Sequence, residues 1–560
     1  MFRLVTCTLA AALTALTLSP ATASPTPSDD VSTVSQDRHS RSHHSTLRHT
    51  TLGPIVGVDE SRTRGTYSWL GIPYADPPVG KLRWRPTQTH RPWRHVRRTQ
   101  KYGNGCAQPG RFFSPSPDGP HYDLDVRDGL GKPVGDEDCL TLNVFRPAHT
   151  KKQDLPVVVF IHGGSNVVGY SGDPMYDGRT LARRANAVVV TVNYRLGVLG
   201  WLNLRELKTG NPLTDSGNFA TLDQIEALRF VRANARRFGG DPRNISVMGE
   251  SAGSVNTWAL MASPLTRGLV DKAIPLSGGL KYTTKADARD YADKLAAAAV
   301  AESRSKNNGA DAEKILRSMS AHELVGLSLR HGLDATPAVI ADGTVMPEDP
   351  YAAVAAGKYR DVPVLAGNTF EEGKMFGAAI DAYRPSDYQR FTWQYLTDPN
   401  RPSGLTARDF LEDQYLPVDK PGGWNDASDK LTDSIFTGLN KASMDAVTAA
   451  GNENVYYYQF GWNEEPKPFD DVYGAVHAMD LPFVFGNFGK STASYAFSRA
   501  NRPGRLQLSD LMMRSIRSFI RTGNPQHRAL DGGWEQWPRS MVFDASKKRA
   551  WARPGSSGGS

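Results

Sequence analysis

The chain has 560 residues, 39% of them hydrophobic and 22% charged, and its 66 basic and 58 acidic side chains leave a net charge of +8. That balance describes an ordinary globular protein with enough apolar material for a large core. The positive charge is spread along the chain with no Lys/Arg tract or basic repeat, which argues against a nucleic-acid partner.

The chain opens with "MFRLVTCTLAAALTALTLSPATAS", one arginine, an apolar stretch and then Ala21-Thr22-Ala23. This pattern reads as a secretory signal over residues 1–23, cleaved after Ala23. The apolar part is too short and interrupted for a membrane span, and no later stretch is apolar enough, so no stable membrane insertion is expected. Cys7 leaves with the signal. The remaining Cys106 and Cys139 read as one disulfide in an exported chain, with two buried thiols as the alternative. Residues 24–50 are rich in Ser, Thr and His and nearly empty of large apolar side chains, which predicts a disordered leader. Residues 551–560 read as a flexible tail.

Between these ends, β-type runs alternate with helical periodicity. "LPVVVFIHGG" (155–164) and "NAVVVTVNYRLG" (186–197) are apolar, β-branched runs ending in glycine turns, as buried parallel strands read. In "TLDQIEALRFVRANARRFGG" (221–240), Leu222, Ile225, Leu228, Val231, Ala235 and Phe238 share one helical face. A short strand "ISVMG", a serine and a helix "SAGSVNTWALMAS" follow, then strands at "KAIPLSGG", "VPVLAGNT" and "VYYYQFGW". The alternation predicts an α/β fold with a mostly parallel sheet covered on both faces. No repeat or second composition regime appears, so residues 51–550 are expected to form one large domain.

Ser251 in "GESAG" sits between a strand and a helix. Flanking glycines allow the tight turn that lifts a hydroxyl above the sheet, and the helix that follows offers N–H groups to an oxyanion. The same pattern in the tail (Gly555 to Gly559) lacks a preceding strand. A serine nucleophile needs a base, which an acid orients, in the chain order Ser, acid, His. Of the histidines that follow, His322, His331 and His527 lie in exposed or polar, turn-like segments. His477, in "YGAVHAMDLPFVFG", leads into an apolar run that would hold it. The acid is expected in the turn after strand 362–366, where periodicity alone does not choose between Glu371 and Glu372. "FIHGGSNVVG" (160–169) exposes backbone N–H groups that would form an oxyanion hole with that of Ala252.

Taken together, "LGIPYADPPVGKLRW", "EDCLTLNV", "NYRLGVLGWL", "FGGDPRNISVMGESAGS", "FEEGKMF" and "HAMDLPFVFG" resemble, in order and spacing, the type-B carboxylesterase/lipase family. The family includes the cholinesterases and bacterial nitrobenzyl esterases, and the resemblance runs from about residue 51 to 540. It implies the α/β-hydrolase fold, with Ser251 as nucleophile, Glu372 as acid and His477 as base. It further implies oxyanion donors at Gly164, Ser165 and Ala252, a second serine, Ser277, helping to hold the acid, and a disulfide between Cys106 and Cys139. The implied activity is hydrolysis of small-molecule carboxylic esters without metal or organic cofactor. The alternatives are a triacylglycerol lipase of the same family and a non-catalytic binding or adhesion protein. Ser165 and Asn166 depart from the family's usual third glycine and aromatic, and predict a more polar wall beside the acyl site.

Overall fold

The computed structural model describes residues 46–111, 113–115, 129–303, 311–383, 404–489 and 491–555. The expected signal segment and most of the expected leader lie outside them.

An eleven-stranded sheet organises the described chain. In chain order its strands are β1 (Val58–Glu60), β2 (Thr66–Pro73), β3 (Thr141–Pro147), β4 (Leu155–Ile161), β5 (Val188–Val192), β6 (Gly240–Glu250), β7 (Lys272–Leu276), β8 (Val364–Thr369), β9 (Val455–Phe460), β10 (Ser540–Ala545) and β11 (Ala550–Pro554). Their spatial order is 11-10-9-8-7-6-4-5-3-2-1. Neighbours from β5 through β10 run parallel, while β1, β2, β3 and β11 make antiparallel edges.

Strand β4 reads as apolar on every residue, and β5 on every residue but Thr191, because both faces are buried. Along β4, Val158 and Phe160 enter one core with Val189, Met248 and Ile274. Val157, Val159 and Ile161 enter the other with Val188, Val190 and Val247. Alternation with period two thus distributes one apolar run between two cores. Helices α1 (Arg179–Ala185) and α5 (Arg502–Thr522) cover the first face through Leu181, Ala182, Ile516 and Phe519. Helix α2 (Phe219–Asn234) covers the second, with Leu222, Ile225, Leu228 and Val231 all buried there. Helix α3 (Ala252–Ala262) begins directly after β6, and α4 (Leu481–Phe485) lies between β9 and α5.

Two boundaries differ from the compositional expectation. Residues 47–49, assigned to the leader, form a strand paired antiparallel with Pro54–Val56. Thr46 carbonyl oxygen accepts the Trp69 indole N–H at 2.7 Å. Backbone pairing and a buried indole order this segment, in which Leu47 is the one large apolar side chain. Residues 551–554, assigned to the tail, belong to β11, which pairs with β10.

Cys106 and Cys139, separated by 33 residues, form a disulfide. Among the described residues no helix is long and apolar enough to cross a membrane.

Candidate active site

β6 ends at Glu250 and α3 starts at Ala252, so Ser251 alone makes the turn. It holds φ 57° and ψ −121°, a combination that L residues avoid and that surrounding structure must impose. Its N–H donates to Leu276 O at 2.9 Å. The flanking glycines are sterically required: a Cβ on Gly249 would lie 2.1 Å from Gly253 O, and one on Gly253 would lie 2.0 Å from Ile161 O. Turn and helix pack too closely on β4 for any side chain there.

Glu372 follows the end of the parallel strand β8 almost directly, while His477 lies further along, in the long segment between β9 and α4. Ligands in this architecture collect at the C-terminal ends of the parallel strands. A backbone bridge between Glu371 and Val476 sets their register, so the next residue of each segment lies beside its counterpart. Glu372 is fully buried and its Oε2 pairs with Nδ1 of His477. Its other oxygen accepts from Asn368 Nδ2 and from the Thr369 N–H, each at 2.9 Å. Asn368 is held in turn by Asn440 Nδ2 at 2.8 Å and Tyr457 OH at 3.3 Å. Phe436 and Phe376 pack on the His477 ring at centroid distances of 4.6 and 5.2 Å.

Glu371, next in sequence, does something else. Its Oε2 accepts the Ala475 N–H at 2.7 Å and its Oε1 meets the buried Lys374 ammonium at 2.5 Å, so it braces the segment leading to His477. The remaining candidate histidines stay apart from Ser251: His322 bonds Gly135 O, His331 pairs with Glu302, and His527 bonds Ser515 Oγ.

Gly164, Ser165, Ser251 and His477 line one cavity of about 340 Å³. Among the described residues, the backbone N–H groups of Gly164, Ser165 and Ala252 donate to no protein acceptor. Phe113, Met175, Met375, Phe376 and Leu481 supply apolar walls. Asn166 is not one of them. It is 1% exposed and turned into the protein, which corrects the expectation that Ser165 and Asn166 together make a polar wall. Ser277 also differs from expectation: its N–H donates to Gly367 O at 2.8 Å, but among the described residues its buried hydroxyl has no partner, so it makes no bond to Glu372.

Two carboxylates complete the electrostatics and were not singled out from sequence. Glu250 Oε1 lies 3.1 Å from His477 Nε2, at ion-pair distance but outside hydrogen-bond geometry. Asp480 accepts from Tyr458 OH at 2.6 Å. Burial pushes the Glu250 carboxyl up to about 8, against the pull of His477. Burial opposes the charged form of His477, but Glu250 and then Glu372 outweigh it and raise the ring to about 9. Each of the pair depends on the charge of the other, and the direction for both is upward, so the pair retains a proton into the neutral range. The sequence signal for both carboxylates was present: Glu250 is inside the serine motif, and Asp480 is three residues after His477. Among the described residues no group of three or more His, Cys, Asp or Glu could hold a metal ion.

Strand order and covering helices define an α/β-hydrolase fold. The carboxylesterase family model matches residues 44–550. Para-nitrobenzyl esterase of Bacillus subtilis (strain 168) is 32% identical over 489 residues, spanning 87% of this chain and 91% of that esterase. Fumonisin B1 esterase of Sphingopyxis macrogoltabida is 31% identical over 480 residues, 84% of this chain and 81% of that enzyme. Among solved structures, a PNB esterase superposes with a TM-score of 0.72 at 29% identity, covering 91% of this chain and 97% of that one. A Geobacillus stearothermophilus carboxylesterase gives 0.70 at 28% identity, covering 91% and 98%. The chain belongs to the carboxylesterase family and is a carboxylic ester hydrolase.

Proposed function

We propose that the protein is an exported serine esterase that hydrolyses small-molecule carboxylic esters through an acyl-enzyme on Ser251. His477 is the base, Glu372 orients it, and the N–H groups of Gly164, Ser165 and Ala252 receive the oxyanion. The observation that carries this reading is the strained Ser251 turn opening into the same cavity as His477 and two of the three unpaired donors.

Ser251 Oγ attacks the ester carbonyl carbon while His477 takes its proton. The tetrahedral intermediate collapses with cleavage of the carbon–oxygen bond, and the alcohol leaves with the proton from His477. Water, deprotonated by the same ring, then attacks the acyl-enzyme and releases the acid. Glu372 stabilises the imidazolium in both halves.

A cavity of about 340 Å³ is near the small end of the usual range for small-molecule sites, roughly 300–1,000 Å³. With apolar walls, it favours uncharged esters of modest size over long-chain triacylglycerols. Likeness to para-nitrobenzyl esterase makes aryl and benzyl esters the first probes. The disulfide supports export to an oxidising compartment, as does the signal-like segment at residues 1–23.

The test is a panel of soluble esters of graded acyl length alongside an emulsified triacylglycerol, run on wild type and Ser251→Ala. Removal of a nucleophile costs on the order of 10⁶ in turnover. An organophosphate should label one site, Ser251, and retention of a tenth of the activity by Ser251→Ala would overturn the assignment.

A further inference from the structure

The proposed oxyanion donors come from two separate elements. Gly164 and Ser165 belong to the loop after β4, whereas Ala252 opens α3. Donors on different elements converge on one oxygen only if those elements are held at a fixed separation.

The loop does not hold its shape by intrinsic preference. Gly164, Ser165 and Asn166 have φ of 90°, 57° and 61°, three successive residues in the half of conformational space that glycine tolerates best and asparagine next. Asn166 Oδ1 accepts from Asn256 Nδ2 at 2.9 Å, and Asn166 O accepts from the Gly197 N–H at 2.8 Å. Asn256 is fully buried on α3, four positions after Ala252 and so about one helical turn along. At the near end of the loop, Tyr194 OH donates to His162 O at 2.7 Å and approaches Asn166 Oδ1 at 3.4 Å. Among the described residues, the Asn166–Asn256 bond is the one side-chain hydrogen bond joining loop 163–169 to α3.

We infer that Asn166 and Asn256 are positioning residues, a pair of amides that fixes the Gly164 and Ser165 donors relative to Ser251 and Ala252. This rests on the reading of those N–H groups as the oxyanion hole. Neither side chain touches substrate. Their effect passes through the backbone, so it falls on binding of the transition state and spares binding of the ground state.

Asn166→Gly and Asn256→Ala test this independently. Glycine fits φ 61° and removes the amide without adding backbone strain, while the second variant leaves the loop sequence intact. Each is compared with wild type in kcat, KM and affinity for a trifluoromethyl ketone, which adds to the serine and presents an oxyanion. Deleting an oxyanion donor outright costs about 10²–10³ in turnover, and displacing one is expected to cost about ten- to a hundred-fold. The expected result is that fall in kcat with KM changed less than about three-fold, and ketone affinity falling in parallel. The double variant should be no worse than the more impaired single, because both break one bond. Variants that melt earlier but keep wild-type kcat and ketone affinity would overturn the proposal. A wild-type enzyme that hydrolyses esters yet binds the ketone no better than an inert analogue would remove the oxyanion reading, and this proposal with it. An Asn256→Ala protein that does not fold leaves Asn166→Gly to decide.

Discussion

Glu250 Oε1 lies 3.1 Å from Nε2 of His477, the ring nitrogen opposite the one that faces Glu372. The imidazole is therefore approached by a carboxylate at each nitrogen. A carboxylate at Nε2 favours the charged ring, and in the proposed mechanism that ring has to lose its proton before it takes one from Ser251.

Glu250→Gln removes that influence. With one anion gone the folded-state pKa of His477 falls, so the neutral ring is available at lower pH and the acid limb of kcat/KM moves downward. A shift of about one unit is expected for a charge at this distance. The check is a full pH–rate profile of both proteins, and a limb that stays in place means that Glu250 is neutral throughout.

The neighbouring glutamates separate chemistry from stability. Glu372→Gln leaves the shape of the site intact but cannot stabilise the imidazolium, and turnover should fall by about 10⁴. Glu371→Gln removes the carboxylate that faces Lys374, whose side chain is only 2% exposed. Lys374 retains Asp471 O at 3.2 Å, so the expected cost is near the lower end of the range for a broken buried pair, about 3 kcal/mol. Urea denaturation and kcat, measured on both variants, should show opposite patterns.

Gly253→Ala places a methyl 2.0 Å from Ile161 O and requires α3 to move off β4. Loss of activity by two orders of magnitude or more is expected, together with a lower melting temperature. Gly268→Ala is the matched control: φ is also positive, at 73°, but the space is open, so only the backbone cost of about 1–2 kcal/mol applies and activity should persist.

Glu465 is buried with neither carboxylate oxygen partnered among the described residues, and burial holds its pKa well above the ordinary glutamate value. It stays protonated in the fold while the unfolded chain ionises, so its contribution is neutral below the unfolded pKa and increasingly destabilising as pH rises toward the folded value. Unfolding free energy measured from pH 5 to pH 9 should decline less steeply in Glu465→Gln than in wild type. Parallel curves would place the ionised group in water.

The fold and the serine turn were legible because both rest on local pattern. Strands β4 and β5 show as apolar runs, and the glycines beside Ser251 mark a turn that nothing larger could make. Helix α2 was legible on one face only. Periodicity found Leu222, Ile225 and Leu228 but not the burial of Asp223 and Glu226, which are covered by a distant segment through Thr87 at 2.5 Å and Thr89 at 2.6 Å. Asp223 also forms a buried ion pair with Arg195 at 2.7 Å. No local signal carries such a contact. Glu250 and Asn166 stood in quoted motifs, but their roles could not be read there for a related reason: what each does depends on His477 and Asn256, far away in sequence. The leader boundary failed because backbone pairing of residues 47–49 orders a segment whose composition contains little to bury.

Ala378 and Ala379 line the cavity from the segment after Glu372, and neither belongs to a sheet strand or to the helix behind Ser251. Mutation can therefore enlarge these two side chains, or their neighbour Met375, while leaving the proposed relay of Glu372 and His477 and the Ser251 turn alone. Descendants of this chain can drift in diet before they lose their chemistry. Selection for a new ester should leave its earliest marks at 375, 378 and 379, whereas 249 and 253 stay glycine in every lineage that still turns over substrate.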